Sequence, residues 1–408
     1  MGRDILIGFV GKPSSGKSTM LNALTDATAK TGNFPFTTIE PNRAIGYAQV
    51  DCACSRFGLE GQCRPIYGGC KNGKRAIPIQ LLDVAGLIPG AHTGKGLGNK
   101  FLDDLRHANA LVHVVDVSGT TDAEGKACRG YDPSVDIEWL YNEMTAWIGT
   151  NLKEKWPNTR RRHIASKANP VHTLQNQFSG YGSNPATTAK VLDSLHLNTP
   201  LESWDEATLD RIVSRFVDIK FPTVIALNKI DHPDSDANIS KIARREDANR
   251  LVLASAVSEV FLRRLAKQGF VNYEEGSEFV DTIDEFPDSG LKPLSESLRA
   301  KITDIQDMVL FRHGSTGVCN VLARAIELLE LVPVYPVKNI HNFANNSNDG
   351  VFRDCVLVRQ GTTAGQVAQI VLGGEAMSII GINGNVGESD PIVAGKNDIL
   401  SFRLRKDT

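Results

Sequence analysis

A run of eight residues near the start of the chain has the types and spacing of a phosphate-binding loop. The run is Gly11-Lys12-Pro13-Ser14-Ser15-Gly16-Lys17-Ser18, which fits GxxxxGK[ST]. An apolar strand precedes it, and a helix is expected to begin at Lys17. Glycines let the backbone wrap phosphates, and the N-terminal end of a helix attracts them. We therefore expect residues 11 to Thr19 to bind nucleotide, with Lys17 at the β/γ-phosphate oxygens and Ser18 on Mg²⁺.

Two further segments complete the pattern of a magnesium and γ-phosphate site. Asp83-Val84-Ala85-Gly86 ends a second apolar strand, and the carboxylate of Asp83 is expected near Mg²⁺, through a water. Gly86 can donate its N–H to the γ-phosphate and so sense whether this phosphate is present. Between the two segments, Thr38 is favoured over Thr37 as the hydroxyl that completes the Mg²⁺ shell. The alternative is a threonine-rich loop with no role at the metal.

A tetrapeptide, Asn-Lys-Ile-Asp, closes a later apolar strand and ends at Asp231. Asp231 offers two acceptor oxygens to N1–H and N2–H₂ of guanine, a contact that adenine cannot make because its N1 is an acceptor. An unpaired carboxylate costs about 1–3 kcal/mol, so adenine should be rejected at least about tenfold. We expect Asn228 to tie this loop to the phosphate loop and the Lys229 stem to cover the base. Downstream, Ser255 and Ala256 end another strand, where the Ala256 N–H is expected to donate to guanine O6.

These motifs resemble the Obg-like GTPases. The resemblance is carried by Gly11 to Thr19, by Phe34 to Asn42 (Phe-Pro-Phe-Thr-Thr-Ile-Glu-Pro-Asn) and by Asp83 to Ala91. The stretch from Gly94 to Leu102 and the C-terminal region are similar to the YchF subfamily, in its archaeal and eukaryotic branch. The resemblance implies an α/β P-loop NTPase fold, a Ras-like G domain with an α-helical insert, followed by a small β-grasp (TGS) domain. It also implies a role near the ribosome or RNA.

The patterning of the chain suggests where these parts lie. We expect the G domain at 1–120 and 221–312, the helical insert at 121–220, a connecting helix at 313–332 and the TGS domain at 333–408. The insert must leave the nucleotide fold, because ordinary connections are only a few residues long. A helix is expected from Thr316 to Leu331. Pro333 and Pro336 are expected to begin a new unit, whose short strands surround one helix at 363–372.

Charge and hydropathy bear on partners. The formal net charge of −2 gives no overall nucleic-acid signal. No run of 18 apolar residues exists and the chain enters its first strand directly, so we expect no membrane partner, no signal peptide and a cytoplasmic location. Residues 151–200 hold seven Lys/Arg against Glu154 and Asp193. This is a candidate RNA footprint, with Trp156, His163 and Tyr181 as stacking groups; the alternative is a solvated helix face.

The C-terminal region, from Pro333 to Thr408, balances seven basic against seven acidic residues, so electrostatics does not distinguish RNA from protein as its partner. Four of the seven cysteines lie close together in a glycine-rich excursion: Cys52, Cys54, Cys63 and Cys70. Zinc prefers tetrahedral thiolate, so a structural Zn²⁺ site is one reading of this loop. Unliganded thiols are the other, because neither spacing is a CxxC knuckle.

The hydrolytic machinery is the least specified part of the sequence. Many switch GTPases place a glutamine after DxxG to orient water, and this chain has Leu87 there. Candidate substitutes are His92, His113 and a group supplied by a partner. Ser14 stands where related GTPases carry an asparagine that helps hold potassium, so weak K⁺ stimulation is expected. The sequence thus favours a slow GTP-hydrolysing switch; the alternatives are a nucleotide-dependent adaptor and an ATP-using relative.

Overall fold

The computed structural model describes residues 5–25, 42–84, 104–197, 199–345, 350–374 and 376–404. Four residues of the predicted γ-phosphate and water-orienting sites, Thr38, Gly86, Leu87 and His92, lie outside these ranges. The chain divides into two compact units. Unit 1 comprises Met1–Ile5, Asn22–Leu81 and Cys319–Thr408, and unit 2 comprises Leu6–Leu21 and Leu82–Val318. The grouping of residues 22–81 with the C-terminal region was not predicted from the sequence.

The described residues form strands β1 to β14 and α-helices α1 to α11, numbered in chain order. The strands are β1 Leu6–Val10, β2 Arg43–Asp51, β3 Cys70–Lys71, β4 Lys74–Asp83, β5 Ala110–Asp116, β6 Thr223–Asn228, β7 Leu251–Ala254, β8 Val271–Tyr273, β9 Val280–Thr282, β10 Leu331–Pro336, β11 Val356–Arg359, β12 Ala376–Gly381, β13 Gly384–Asn385 and β14 Ile399–Leu404. The α-helices are α1 Lys17–Thr25, α2 Ser134–Ser166, α3 Pro170–Phe178, α4 Pro185–Leu195, α5 Glu206–Lys220, α6 Ser235–Ala243, α7 Ala256–Gln268, α8 Glu296–Ile305, α9 Phe311–His313, α10 Val318–Leu328 and α11 Ala364–Leu372.

Unit 2 is built on a parallel sheet. β1 pairs with β5, β5 with β6 and β6 with β7, all in parallel. Every residue of β1, β5 and β6 is buried, which is typical of parallel strands covered on both faces. The N–H of Val84, just after β4, donates to the carbonyl of Phe9 in β1 at 3.2 Å, so the end of β4 lies beside β1. The predicted α/β P-loop fold is confirmed.

The described part of the predicted insert, 121–220, consists of helices α2 to α5 without a regular strand. Side-chain caps begin three of them: Asn169 before α3, Asn184 before α4 and Asp205 before α5. Their apolar side chains form one cluster with sheet residues such as Leu6 and Leu111. The insert is therefore fixed to the sheet by a shared core within unit 2.

The C-terminal part of unit 1 is a five-stranded mixed sheet in the order β11-β10-β14-β12-β13. β10 is antiparallel to β11 and parallel to β14. Helix α11 packs Val367 and Ala368 into a core with Val334 and Ile379. A capping box between Thr363 and Gln366 begins this helix. A mixed sheet around one helix is the arrangement that the sequence predicted for this region.

The start of that sheet differs from the prediction. The helix expected from 316 to 331 ends at Leu328, and β10 begins at Leu331, before the predicted boundary. β10 tolerates its two prolines because it pairs with β11 over Leu331–Val334 and with β14 only at Tyr335 and Pro336. N–H groups alternate sides along a strand, so the missing N–H of each proline falls outside the ladder on its own side.

Among the residues that the structure describes, no helix combines the length and the apolar character needed to cross a bilayer.

Gly317 provides a test of the unit 2 fold. Its φ is +74°, and a Cβ added there would lie 1.8 Å from the carbonyl oxygen of Leu253 in β7. Gly269 has a similar φ of +78° but open space around it. We expect Gly269→Ala to lower the free energy of unfolding by about 1 kcal/mol through backbone strain, and Gly317→Ala by at least about 3 kcal/mol. Chemical denaturation of both variants measures this, and equal losses would contradict the close approach.

Candidate nucleotide-binding site

The phosphate loop connects β1 to α1 and needs glycine at defined positions. Gly16 has a φ of +91°, and a Cβ there would lie 2.2 Å from the side-chain nitrogen of Asn228. A Cβ on Gly11 would lie 2.7 Å from the carbonyl oxygen of Val114 in β5. Both glycines therefore allow the loop to pack closely on neighbouring strands, which a larger residue would prevent.

Lys12 anchors the phosphate loop to the beginning of the insert. Its ammonium group is buried, donates to the carbonyl of Thr121 at 2.8 Å and lies 3.0 Å from a carboxylate oxygen of Asp136. It also lies 3.9 Å from the centroid of the Tyr131 ring. Burial raises the pKa of Asp136, although hydrogen bonds from Tyr131 and Lys12 oppose this rise. These partners give Lys12 a structural role in addition to the nucleotide contact predicted for it.

Ser14 adopts a φ of +64°, and its hydroxyl donates to the carbonyl of Gly125 at 3.2 Å. The hydroxyl is thus turned towards the segment between β5 and α2. Pro13 lies against the same glycine, since a Cβ on Gly125 would lie 2.7 Å from Pro13. The loop is therefore held on this side by the residues that lead into the insert.

Lys17 and Asp83 contact each other directly. Lys17 begins α1 and Asp83 ends β4, so the two predicted phosphate and magnesium ligands are brought together at the carboxyl edge of the sheet. The Asp83 side chain remains 44% exposed and that of Lys17 12%. Ser18, the next residue of α1, is also exposed. Mg²⁺ prefers oxygen ligands, so the hydroxyl of Ser18 and the carboxylate of Asp83 fit this ion.

Asn228 joins three loops through one side-chain amide. Its nitrogen donates to the carbonyl of Ser15 at 2.9 Å, and its oxygen accepts from the N–H of Ala256 at 3.1 Å. The residue is only 3% exposed. The connection to the phosphate loop is the one predicted from the sequence. The Ala256 N–H, predicted to face guanine O6, donates here to Asn228 instead.

Asp231 lies beside the Ser255 hydroxyl, which donates to its carboxylate at 2.6 Å. Ser255 is fully buried and also caps helix α7 through the N–H of Ser258. Because this cap fixes the position of Ser255, the hydroxyl can orient the carboxylate that is predicted to read guanine. The predicted base-reading residues 228–231 and 255–256 thus lie together.

Asp116 is a site residue that the sequence reasoning missed. It is fully buried at the end of β5, and the ammonium group of Lys229 lies 2.6 Å from its carboxylate. Burial raises the pKa of Asp116, but hydrogen bonds from Lys229, Ser118 and Thr121 outweigh it and hold the pKa below its usual value. The pair fixes the head group of Lys229. Its position at a strand end, like that of Asp83, was the signal available in the sequence.

His113 lies in the middle of β5 and is only 2% exposed. Burial lowers its pKa to about 3, and the charges of Arg250 and Lys12 add to this effect. The imidazole is therefore neutral at physiological pH. This burial favours a core role for His113, while orientation of water by His113 stays a prediction.

Two of the groups expected to stack on RNA bases, Trp156 and His163, are buried, so the expectation was wrong for them, whereas Tyr181 is partly buried and its role stays a prediction. Trp156 is buried and stacks on Trp204 at 6.0 Å between centroids. His163 is buried and bonds to Thr173 at 2.7 Å, and Tyr181 packs edge-on against Trp147. Trp156 and His163 lie on the inward face of α2, whereas several basic residues of the same helix are exposed. Those exposed residues include Lys155, Arg160, Arg161 and Arg162.

The four clustered cysteines belong to unit 1, whereas the described residues of the nucleotide site belong to unit 2. The sulfur atoms of Cys52, Cys54, Cys63 and Cys70 all lie within 4.8 Å of one another. The first three are buried and Cys70 is partly buried. The structure therefore brings together the whole set that the spacing in the sequence suggested.

A phosphate loop joined by one asparagine to a guanine-reading loop, at the carboxyl edge of a parallel sheet, defines a P-loop guanine-nucleotide-binding protein. Comparison with known families agrees. Residues 6–138 match the family described as 50S ribosome-binding GTPase, and residues 226–339 match the Obg-like GTPase YGR210-like, G4 motif-containing domain.

Comparisons with individual proteins identify the family within this class. The chain is 84% identical to an uncharacterised GTP-binding protein of Schizosaccharomyces pombe, over 100% of this chain and 99% of that one. It is 38% identical to the ribosome-binding ATPase YchF of Haemophilus ducreyi, over 34% and 35% of the two chains. A crystal structure of a GTP-binding protein from Pyrococcus horikoshii OT3 superposes with a TM-score of 0.74 at 30% identity, covering 98% and 100%. The chain belongs to the Obg-like/YchF family of GTPases and is a GTP-binding protein of that family.

The amide of Asn228 generates a prediction for affinity. Asn228→Ala leaves the Ser15 carbonyl and the Ala256 N–H without their partner, so we expect GDP to bind at least about tenfold more weakly. Asn238→Ala is the matched control, because Asn238 also donates a buried amide to a carbonyl, that of Val117 at 2.9 Å. Calorimetric titration with GDP compares the two. If both variants lose affinity equally, general destabilisation and not the joint between loops is responsible.

Proposed function

We propose that this protein binds GTP with Mg²⁺, hydrolyses it slowly to GDP and phosphate, and acts as a nucleotide-dependent switch on the ribosome or on RNA. The observation that carries the proposal is the joint at Asn228, which connects the phosphate loop to the loop that presents Asp231. A single ligand that spans both loops must carry phosphates at one end and a base at the other.

The base-reading step follows from the carboxylate of Asp231. Its two oxygens accept from N1–H and N2–H₂ of guanine, and Ser255 holds it in place. The Lys229 head group is held by Asp116, which leaves the aliphatic stem of Lys229 to cover the base plane. Adenine presents an acceptor at N1 and would leave the carboxylate unpaired, so guanine is selected.

The phosphate step uses the contact between Lys17 and Asp83. A nucleoside triphosphate offers Lys17 anionic oxygens in place of the carboxylate, and this frees Asp83 for the ion. Ser18 and Asp83 would hold Mg²⁺, with Thr38 as the predicted further ligand. The ion supplies charge neutralisation on the β- and γ-phosphate oxygens. The N–H of Gly86 is the predicted sensor of the γ-phosphate.

Slow hydrolysis is the expected consequence of the residues around the attacking water. Leu87 has no hydrogen-bonding group at the position after DxxG, and His113 is enclosed in β5. His92 remains the candidate within the chain. A group supplied by a partner is the further route, as in GTPases that receive an arginine in trans. Such a requirement would couple hydrolysis to partner binding, which is what a switch needs.

The proposed partner rests on two observations. The matching family is described as 50S ribosome-binding GTPase, and a relative is named a ribosome-binding ATPase. Helix α2 also presents an exposed basic surface, Arg160 to Arg162, suited to RNA phosphates. The second candidate function is a nucleotide-dependent adaptor that seldom hydrolyses, and it is favoured by Leu87. An ATP-using enzyme is the third, because relatives carry ATPase names.

Nucleotide choice gives the first test. We expect the protein to bind GTP at least about tenfold more tightly than ATP, and Asp231→Asn to remove most of that preference. Asp234→Asn is the control, since it makes the same charge change at an exposed carboxylate three residues away. Parallel titrations with GTP and ATP in Mg²⁺ decide the matter. Tighter binding of ATP by the unmodified protein would overturn the assignment to guanine.

Single-turnover hydrolysis of GTP, measured with and without ribosomes, distinguishes the switch from the adaptor. The switch requires slow cleavage alone and at least about tenfold faster cleavage with ribosomes. No cleavage in either condition, with GTP still bound, would favour the adaptor.

The basic surface on α2 gives a separate prediction. Changing Arg160, Arg161 and Arg162 to Glu should weaken binding to ribosomes or RNA and reduce its salt dependence, because fewer counterions are released. The control changes an equal number of exposed basic residues elsewhere in unit 2 to Glu: Arg244, Arg264 and Lys267. Sedimentation with ribosomes over a series of salt concentrations measures both. Equal, salt-sensitive binding by the two variants would exclude this surface.

A further inference from the structure

The cysteine loop of unit 1 has the geometry of a closed metal site. The Sγ atoms of Cys52 and Cys63 are 3.8 Å apart, and those of Cys54 and Cys70 are 3.5 Å apart. A tetrahedron with Zn–S bonds of about 2.3 Å has sulfur atoms about 3.8 Å apart. A disulfide requires about 2.05 Å. The four sulfur atoms therefore stand at the spacing of ligands around one ion and not at that of bonded pairs.

Three short segments of the chain carry these four side chains. Cys52 precedes the short 3₁₀ helix Ala53–Phe57, which contains Cys54. The N–H of Cys52 donates to the carbonyl of Gly73 at 2.8 Å. Cys63 follows a second 3₁₀ turn, Glu60–Gln62, and Cys70 begins β3. Residues 52–73 otherwise contain five glycines and little regular structure. A metal ion bound by all four thiols would offset the cost of ordering such a loop, because glycines lose more conformational entropy on ordering than other residues.

A buried cation lies in the same core. Arg75 is 2% exposed, donates to the carbonyls of Phe352 and Arg353, and is close enough for its charge to act on Cys52. Four thiolates around a divalent ion carry a net charge of about −2, so a neighbouring guanidinium offsets part of that charge.

We propose that Cys52, Cys54, Cys63 and Cys70 bind one structural Zn²⁺ ion. All four positions of the tetrahedron are filled by protein sulfur and the site is largely closed to solvent, so its role is structural and not catalytic. Tetrahedral thiolate sites select zinc or iron, and oxygen-preferring ions such as Mg²⁺ are excluded.

The loop that the ion would fix is the surface on which the C-terminal sheet rests within unit 1. Arg56 forms a two-point contact with Asp398, at 3.1 and 2.9 Å. The N–H of Arg64 donates to Val351 at 3.2 Å, and that of Ile66 donates to Arg353 at 2.8 Å. The cysteines share an apolar core with Phe343 and other C-terminal residues. The zinc ion therefore stabilises the attachment of the C-terminal domain to the excursion between β2 and β4.

Elemental analysis and X-ray absorption of the full-length protein, purified without chelators, test the site. We expect one zinc ion per chain, bound to four sulfur atoms at about 2.3 Å. Cys63→Ser should lose the ion, whereas Cys128→Ser, at a cysteine of unit 2 outside the cluster, should retain it. GDP binding by both variants checks that unit 2 is folded. Protein that holds no zinc and takes up none when Zn²⁺ is added would overturn the proposal, as would iron in place of zinc.

Limited proteolysis tests the structural role without relying on any variant. Removing zinc from the unmodified protein with a chelator should expose residues 52–73 to cleavage, and added Zn²⁺ should restore protection. Protection that does not change as zinc is removed would show that the ion does not hold the loop. If Cys63→Ser fails to fold, the zinc content and absorption spectrum of the unmodified protein still decide whether the site exists.

Discussion

The side-chain amide of Asn228 is the constraint on which the nucleotide site depends. Its donor and acceptor are both used, by the Ser15 carbonyl and the Ala256 N–H, and neither is accessible to water. Leaving the Ser15 carbonyl or the Ala256 N–H unpaired would cost about 1–3 kcal/mol, so movement of one of these loops without the others is unfavourable. Gly16 serves the same joint, since any side chain there would occupy the space of the amide.

Three lysines in the phosphate and base loops each face a carboxylate, and their burial separates their roles. Lys12 with Asp136 and Lys229 with Asp116 involve carboxylates that are almost completely buried. Breaking a buried pair leaves an uncompensated charge and costs about 3–5 kcal/mol, so these pairs hold the loops in place. Asp83, by contrast, is 44% exposed. The pair of Lys17 and Asp83 is therefore the one suited to the proposed exchange, in which phosphate and a cation replace the direct contact.

The sequence predicted the parts of the site that depend on local spacing. The phosphate loop, the base loop and the carboxylate of Asp83 lie at strand ends, and a parallel sheet brings such ends to one edge. What spacing cannot show is the long-range partner of each group. Asp116 was missed because its role appears only when Lys229 folds over it. Trp156 and His163 were misplaced because helical periodicity alone does not state which side of α2 faces the core. The start of β10 was assigned to a helix and to a domain boundary, because proline is rarely found inside a strand. The register of β10 places both of its prolines where no ladder hydrogen bond is needed.

The division of the chain into two units has a consequence for the proposed switch. The chain passes from unit 2 to unit 1 between Leu21 and Asn22 within α1, and returns between Leu81 and Leu82 within β4. These are the elements that carry Lys17 and Asp83. The proposed exchange of partners at Lys17 and Asp83 therefore takes place in the two elements through which the chain leaves unit 2 and returns to it. Within unit 1, the proposed zinc site would give the cysteine loop a fixed shape, against which contacts from Arg56, Arg64 and Ile66 hold the C-terminal sheet.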